Sequence, residues 1–298
     1  MSSLMSSPAA WFVIVMSVAN MLACLWLIWW TARRRTANTE SNTTGHSWDG
    51  IEEYNNPLPR WWLWLFILTI LFGFIYLSLY PGLGNYAGTR GWTSSAQLAQ
   101  EQAQTQAVFE ARYGQFAKMD LVSLSKNAEA MSAARNLFAN NCAACHGADA
   151  RGNSGFPNLT DNDWLWGGNP ETIYETIAHG RKGVMPGWVA ILGKQGVEEV
   201  SAYVLSLSGR KVPEEWIEPG KQRFATICVA CHGVDARGNQ AVGAPNLTDK
   251  VWLYGSSMNV LRETVTNGRS NEMPAHLPLL GETKVRLLAA YVYGLSHP

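Results

Sequence analysis

Cys142 and Cys145 stand three apart with His146 directly after the second, in Cys142-Ala-Ala-Cys145-His146-Gly147. Cys228-Val-Ala-Cys231-His232-Gly233 repeats the pattern 86 positions later. On one helical turn such spacing sets both thiols and the imidazole on neighbouring positions. Two thiols so placed can form thioethers to the edge of a haem while the imidazole reaches the iron from one face, which is the c-type attachment signature. Zinc is the main competitor. It needs a second Cys or His pair about 12 to 20 residues further on, and neither copy supplies one. A thioredoxin-like redox pair would lack the His and would sit in a βαβ pattern, which is absent.

A haem iron held by His146 or His232 needs a ligand on its other face. Met185 lies 39 residues after His146 and Met273 lies 41 after His232, each followed by Pro. A thioether is a soft neutral donor that favours ferrous iron, so His/Met ligation raises the reduction potential. Local spacing has each Met serving its own repeat; the exchanged arrangement, Met185 on the second haem and Met273 on the first, stays open in a tandem pair. Met119, Met131 and Met258 lack the repeated setting and read as packing residues. His179 aligns with Asn267 and His276 with Trp188, so neither belongs to the repeated constellation, and both read as surface or structural. Each ligand His should offer its other ring nitrogen to an acceptor, and the carbonyls of Pro157 and Pro245 are candidates. Trp164, Trp252, Tyr203 and Tyr291 are candidates to wall the haems. Two haems with both axial positions filled leave no site for a substrate, and no Ser/His/Asp set, phosphate loop or carboxylate pair suggests bond chemistry. The residues point to electron transfer.

The elements that position these residues also come twice. Asp149-Ala-Arg-Gly-Asn153 matches Asp235-Ala-Arg-Gly-Asn239, and Pro157-Asn-Leu-Thr-Asp161 matches Pro245-Asn-Leu-Thr-Asp249. Ala202-Tyr203-Val204 pairs with Ala290-Tyr291-Val292. The copies take residues 129–210 and 217–298, with Ser208 to Trp216 as a short linker. At that size a copy is small for an independent core, and a covalently fixed haem would supply apolar material. Helical patterns cover Glu129–Asn140, Pro170–His179, Val197–Leu207, Pro219–Ile227 and Thr283–Leu295. No substantial β-sheet is indicated.

The first third has a different character. Trp11–Trp30 and Trp61–Tyr80 are two 20-residue runs without a charge. At about 1.5 Å per residue each covers roughly 30 Å, the thickness of a bilayer's hydrocarbon core. Trp and Tyr crowd their ends, as at headgroup boundaries. A signal peptide would carry its charges before the first run, whereas here Arg33, Arg34 and Arg35 follow it. Those arginines and Arg60 place the 31–60 loop in the cytoplasm and both termini outside. The expected order is therefore a periplasmic tail 1–10, a membrane helix 11–30, a cytoplasmic loop 31–60, a membrane helix 61–80 and a periplasmic helical linker 81–128, then the two haem copies. Within that linker a helix is expected from Ser94 to about Phe116, with Phe109, Tyr113 and Phe116 as a docking stripe. Of 298 residues, 23 are Lys or Arg and 23 Asp or Glu, which argues against a nucleic-acid partner. The fold class is all-α: two transmembrane helices followed by two tandem class I cytochrome c domains.

With the loop Trp48-Asp-Gly-Ile-Glu-Glu-Tyr-Asn-Asn-Pro-Leu-Pro-Arg-Trp-Trp62 added to the haem motifs and to Tyr80-Pro-Gly-Leu-Gly84, the chain resembles the dihaem subunit III (CcoP or FixP family) of cbb3-type cytochrome c oxidases over nearly its whole length. The resemblance implies a bacterial inner-membrane respiratory complex that reduces oxygen to water and pumps protons, with its haem domains in the periplasm. It implies a catalytic subunit carrying b-type haems and copper, a monohaem cytochrome c subunit, and a periplasmic cytochrome c donor. The chain would carry two covalently bound c-type haems and pass electrons from that donor to the monohaem subunit. Cys142, Cys145, His146 and Met185 would hold one haem, and Cys228, Cys231, His232 and Met273 the other. Two other classes compete. A free-standing membrane-anchored dihaem carrier would have the same haem domains but no use for the Trp48–Trp62 loop. A dihaem peroxidase needs a haem that opens a coordination site, which two matched Met ligands oppose.

Overall fold

The computed structural model describes residues 6–32, 43–54 and 58–297. Arg33, Arg34 and Arg35, residues 1–5 of the N-terminal tail, Asn55, Asn56 and Pro57 of the Trp48–Trp62 loop, and Pro298 lie outside the described residues. By contact the chain falls into two units, residues 1–106 and 107–298.

The first unit holds the apolar helices α1 (Ser7–Ala32) and α2 (Arg60–Leu79). Each is long and apolar enough to cross a membrane by length and composition. Ala10, Ile28 and Ile70 are their only buried residues, and Trp11, Trp26, Trp29, Trp61 and Trp64 stand out from the surface. A core helix would bury its apolar face, whereas these expose nearly all of it. Met21 touches Gly73, and Ala10 near the start of α1 crowds Gly84 beyond the end of α2. The helices therefore run antiparallel, and the chain enters α1 and leaves α2 at the same end.

Between them, part of the expected polar loop is a hairpin of β1 (Thr43–Trp48) and β2 (Ile51–Tyr54), with Trp48 opposite Ile51. Its turn is Asp49-Gly50, at φ 53° and 83°. Two positive φ values in succession suit the right-handed twist of a two-residue hairpin, and Asp-Gly is the dipeptide that accepts them. Trp48, Ile51 and Tyr54 are all exposed. Helix α3 (Ser94–Tyr113) runs from this unit into the next; Thr93 caps it by accepting from the Ala96 N–H at 3.1 Å.

The second unit is helical except for one ribbon. A 3-10 turn (Gly114–Lys118) leads to α4 (Leu121–Ser125), α5 (Ala128–Asn141), α6 (Ala143–His146), α7 (Pro170–His179), β3 (Arg181–Pro186) and α8 (Val189–Leu207). The second copy gives α9 (Ile217–Ile227), α10 (Val229–His232), α11 (Met258–Asn267), β4 (Gly268–Met273), α12 (Leu277–Leu280) and α13 (Glu282–Ser296). Side-chain caps start several of them: Asn127 for α5, Asn169 for α7 and Ser257 for α11 each accept a first-turn N–H. Gly180 and Gly268 end α7 and α11 at φ 73° and 76°.

The packing crosses the copies. Helix α8 lies on α9 and α11, while α13, the last helix of the second copy, lies on α4, α5 and α7 of the first. One core joins Leu124, Phe138, Ile173, Ile177, Val285 and Leu288; another joins Val197, Val200, Val204, Phe224, Leu261 and Val265. The short linker after α8 gives the physical reason. Consecutive helices joined by a short connection pack as antiparallel neighbours, so α8 pairs with α9, and α13 fills the place beside α5.

The expected docking stripe is spent inside the molecule. Phe116 is buried, and Phe109 and Tyr113 pack against the first core. Helix α13 reaches them: Lys284 lies over the Phe109 ring, Thr283 donates to Glu110 and Arg286 donates to the Met119 carbonyl. An apolar stripe on a helix shows that something covers it, and here the cover is the chain's own C-terminal helix.

Candidate haem sites

Helix α5 ends at Cys142, whose N–H still donates to Phe138 O, and the turn α6 follows at once. Cys145 and His146 both donate their N–H to Cys142 O, at 3.1 and 3.0 Å. This one turn brings the two thiols and the imidazole together. In the second copy Cys231 and His232 donate to Cys228 O at 3.2 and 3.0 Å. Cys145 and Cys231 are exposed, and Cys142 and Cys228 half-buried. Burial, and then the neighbouring thiol, push Cys142 and Cys228 up to about 11, so both are thiols and not thiolates at neutral pH.

His146 Nδ1 lies 3.1 Å from Pro157 O, and His232 Nδ1 lies 3.1 Å from Pro245 O, the acceptors that the sequence nominated. The repeated loop motifs explain how those carbonyls arrive. Asp149 and Asp235 each accept a backbone N–H two residues on, Ala150 and Ala236 sit at φ 59° and 57°, and Gly152 and Gly238 donate to the carbonyls of His146 and His232. At Gly152 a Cβ would run into Phe156 O, which explains the glycine. Asn158 and Asn246 then fold the Pro-Asn-Leu-Thr segment by accepting from the N–H and hydroxyl of Thr160 and Thr248. Burial first, against the opposing proline hydrogen bond, holds both imidazoles below their ordinary pKa. Each is thus neutral at pH 7, with Nδ1–H engaged and the Nε2 lone pair left for a metal.

The methionines sit across the copies. Met273 packs against the first core, as do Cys142, Leu159 and Trp164; Met185 packs against the second, as do Cys228, Leu247 and Trp252. Strands β3 and β4 form one antiparallel ribbon in which Arg181 faces Met273, Met185 faces Arg269, and Gly183 and Asn271 meet at the centre. The ribbon has near two-fold symmetry. Arg181 lies over Trp166 and donates to Thr176, as Arg269 lies over Tyr254 and donates to Thr264. Gly180 and Gly268 let the strands meet: a Cβ at Gly180 would strike Met273 O, and one at Gly268 would strike Met185 O. Beyond the ribbon, Trp188 N–H donates to Val265 O and His276 N–H to Ile177 O, each reaching the other copy's helix. The tyrosines cross as well, Tyr291 meeting Phe138 at 5.5 Å and Tyr203 meeting Phe224 at 5.4 Å.

Both pockets fit a haem on a separate observation. Trp164 Nε1 and Trp252 Nε1 are buried without a hydrogen-bond partner, at matched positions. A buried indole N–H is costly to leave unmet, and a haem carries two carboxylates that can accept from it. Among the other residues weighed from the sequence, Met119 and Met131 pack on the first core and Met258 on the second. His179 faces Glu175 at 3.5 Å, away from either pocket's ligand set. His276 differs: its Nδ1 is buried and unpartnered, which its place outside the repeat did not reveal.

Comparison with known proteins agrees with this geometry. Residues 129–204 and 216–292 match the family described as cytochrome C oxidase, cbb3-type, subunit III, and residues 40–87 match the N-terminal domain of cytochrome oxidase-cbb3, FixP. The chain is 47% identical to the cbb3-type cytochrome c oxidase subunit CcoP of Rubrivivax gelatinosus, over 99% of this chain and 97% of that one. It is 42% identical to subunit FixP of Azorhizobium caulinodans, over 86% and 93% of the two chains. Against CcoP of Rhodobacter capsulatus the identity is 39%, over 89% and 99%. The chain belongs to the CcoP/FixP family of cbb3-type cytochrome c oxidase subunits, with two apolar N-terminal helices and tandem c-type cytochrome domains.

Proposed function

From that membership we propose that the chain is the electron-accepting dihaem subunit of a cbb3-type terminal oxidase in a bacterial inner membrane. Its haem domains face the periplasm. It takes electrons from a periplasmic cytochrome c and passes them through a monohaem subunit to a haem b and copper subunit, where oxygen is reduced and protons are pumped. The observation that carries this reading is the pair of matched pockets, each with a Cys-x-x-Cys-His turn, a Met and an orphaned indole N–H, in a chain similar along its length to named oxidase subunits.

Cys142 and Cys145 bind one haem covalently and Cys228 and Cys231 the other, with His146 and His232 as axial ligands. The packing of the methionines supports exchanged partners: Met273 serves the iron of His146, and Met185 the iron of His232. Haem bound there supplies the one-electron couple. The chain's residues do the rest. Pro157 and Pro245 hold each imidazole in one orientation through Nδ1, and the thioether sulfurs favour the reduced state. The exposed positions of Cys145 and Cys231 leave one edge of each site near the surface, where a partner protein can approach.

The test is to tag the chain, extract membranes in mild detergent, and read spectra, copper and oxygen uptake on what comes with it. Haem b, copper and rapid oxygen consumption with reduced cytochrome c are expected. Only c-type haem, two per chain, with no oxygen uptake would instead mark a free-standing membrane-anchored carrier.

A further inference from the structure

The two pockets repeat the same axial-ligand motifs but are not identical: Phe156 is replaced by Ala244 and Asp163 by Val251, and His276 stands where the other has Trp188. Both residues hang at the same point, three positions after the Met, with backbone N–H groups fixed to Ile177 O and Val265 O at 3.0 and 2.8 Å. These bonds fix the main chain from which each side chain leaves, three residues past a Met. His276 Nδ1 is buried with no partner. It is also close enough to His146 that charge on it would act on that imidazole, after the larger influences of burial and of Pro157. The first pocket therefore presents two orphaned groups near its ligands, Trp164 Nε1 and His276 Nδ1, where the second presents Trp252 Nε1. Arg286 Nε, a further orphan of the first core, belongs to a guanidinium already engaged with Met119 O and lying over Tyr174.

A buried imidazole nitrogen left without a partner is a cost that native structures avoid. The strong acceptors a haem brings are its carboxylates. We propose that His276 Nδ1–H donates to a carboxylate of the haem in the first pocket, and that this second donor makes the two haems electronically unequal. The inference rests on the haem reading above and on Met273 facing that haem. A donor on the carboxylate offsets part of its negative charge, and negative charge near the iron favours the ferric state. Trp188 is half-buried, and its nitrogen is not among the buried orphans, so it lacks the unmet need that His276 Nδ1 shows.

The experiment uses the full haem-loaded chain with His276→Phe, His276→Leu and His276→Asn, read by potentiometric titration and by the carboxylate bending modes in resonance Raman spectra. His276→Phe and His276→Leu should lower one of two midpoint potentials and shift one carboxylate mode, leaving the other haem unchanged. His276→Asn keeps an N–H donor and should restore both. Unmoved potentials and modes in haem-loaded Phe and Leu variants would overturn the proposal. So would equal shifts in all three variants, which would mean packing alone, or a changed iron–sulfur signature with the carboxylate modes unmoved. A parent protein lacking c-type haem would instead overturn the haem reading itself.

Discussion

The second haem module runs without interruption from Met185 in β3 through α8, α9, α10 and α11 to Asn267. The first is split: it has α4 to α7 from one stretch of chain, and Met273, α12 and α13 from another, with the second module inserted between. Both share the helices and Met strand that surround the ligands and differ in the order in which the chain supplies them, the first adding α4 and Phe116 to its core. What joins them is the ribbon of β3 and β4, where each Met strand is paired with the other. Two copies written in tandem have thus folded together, because a short linker sets α8 against α9 and leaves the place beside α5 to α13. A small module that lacks one of its helices locally can still be completed by its neighbour, and this leaves neither copy self-sufficient.

The comparison can be broken by removing one haem at a time. Cys142→Ala with Cys145→Ala should halve covalent haem while leaving the continuous second module with its potential intact. Cys228→Ala with Cys231→Ala should do more harm, since the second module lies between the two halves of the first. Haem quantitation and redox titration of both double variants would show this asymmetry, and equal, independent losses would count against it.

Smaller effects sharpen the role of the ribbon. Gly180→Ala and Gly268→Ala should each destabilise by about 1–3 kcal/mol, given a positive φ and a facing carbonyl. Each spectroscopic effect should stay within its own copy but travel through the other copy's methionine, Gly180→Ala disturbing the haem of His146 through Met273, and Gly268→Ala the haem of His232 through Met185. Thermal unfolding and difference spectra of the two variants would check both parts.

A pH effect should mark the first copy alone. Burial, and then the charges of Asp249 and Asp161, raise Asp163 from 3.8 to about 6, whereas the aligned residue of the second copy is Val251. Because the folded state holds this proton more tightly than the unfolded chain does, its contribution is fully present below 3.8 and is lost as pH rises through about 6. Asp163→Asn should flatten that part of the profile of melting temperature against pH. The smallest change expected is at Glu263, which pairs with Arg269 at 3.0 Å but is itself 56% exposed. Glu263→Gln should cost no more than about 0.5 kcal/mol in denaturant titration.

Much of each site was legible because it is local. The Cys-x-x-Cys-His turns, the Asx-folded loops and the Pro157 and Pro245 carbonyls lie in one short stretch of each copy, the carbonyls 11 and 13 residues past their His, so sequence spacing carries their geometry. Helix α7 could be read to the residue from Pro170 and Gly180. The partner of each Met was not legible from spacing, because distance along the chain does not record which pocket a strand enters. The signal available was the brevity of the Ser208–Trp216 linker. The Phe109–Tyr113–Phe116 stripe announced burial but not its cover, which arrives from α13 far along the chain. The Asp49-Gly50 dipeptide did encode a hairpin, within a segment whose charges and prolines made it read as a loop.

Exchange of the methionines is the central claim, and one background tests it directly. In a chain carrying Cys142→Ala and Cys145→Ala, only the haem of His232 remains. Met185→Leu in that chain should remove the iron–sulfur signature and lower the potential, while Met273→Leu leaves both unchanged. If Met273→Leu instead removes the signature and Met185→Leu does not, each Met serves its own copy and the exchanged arrangement is wrong.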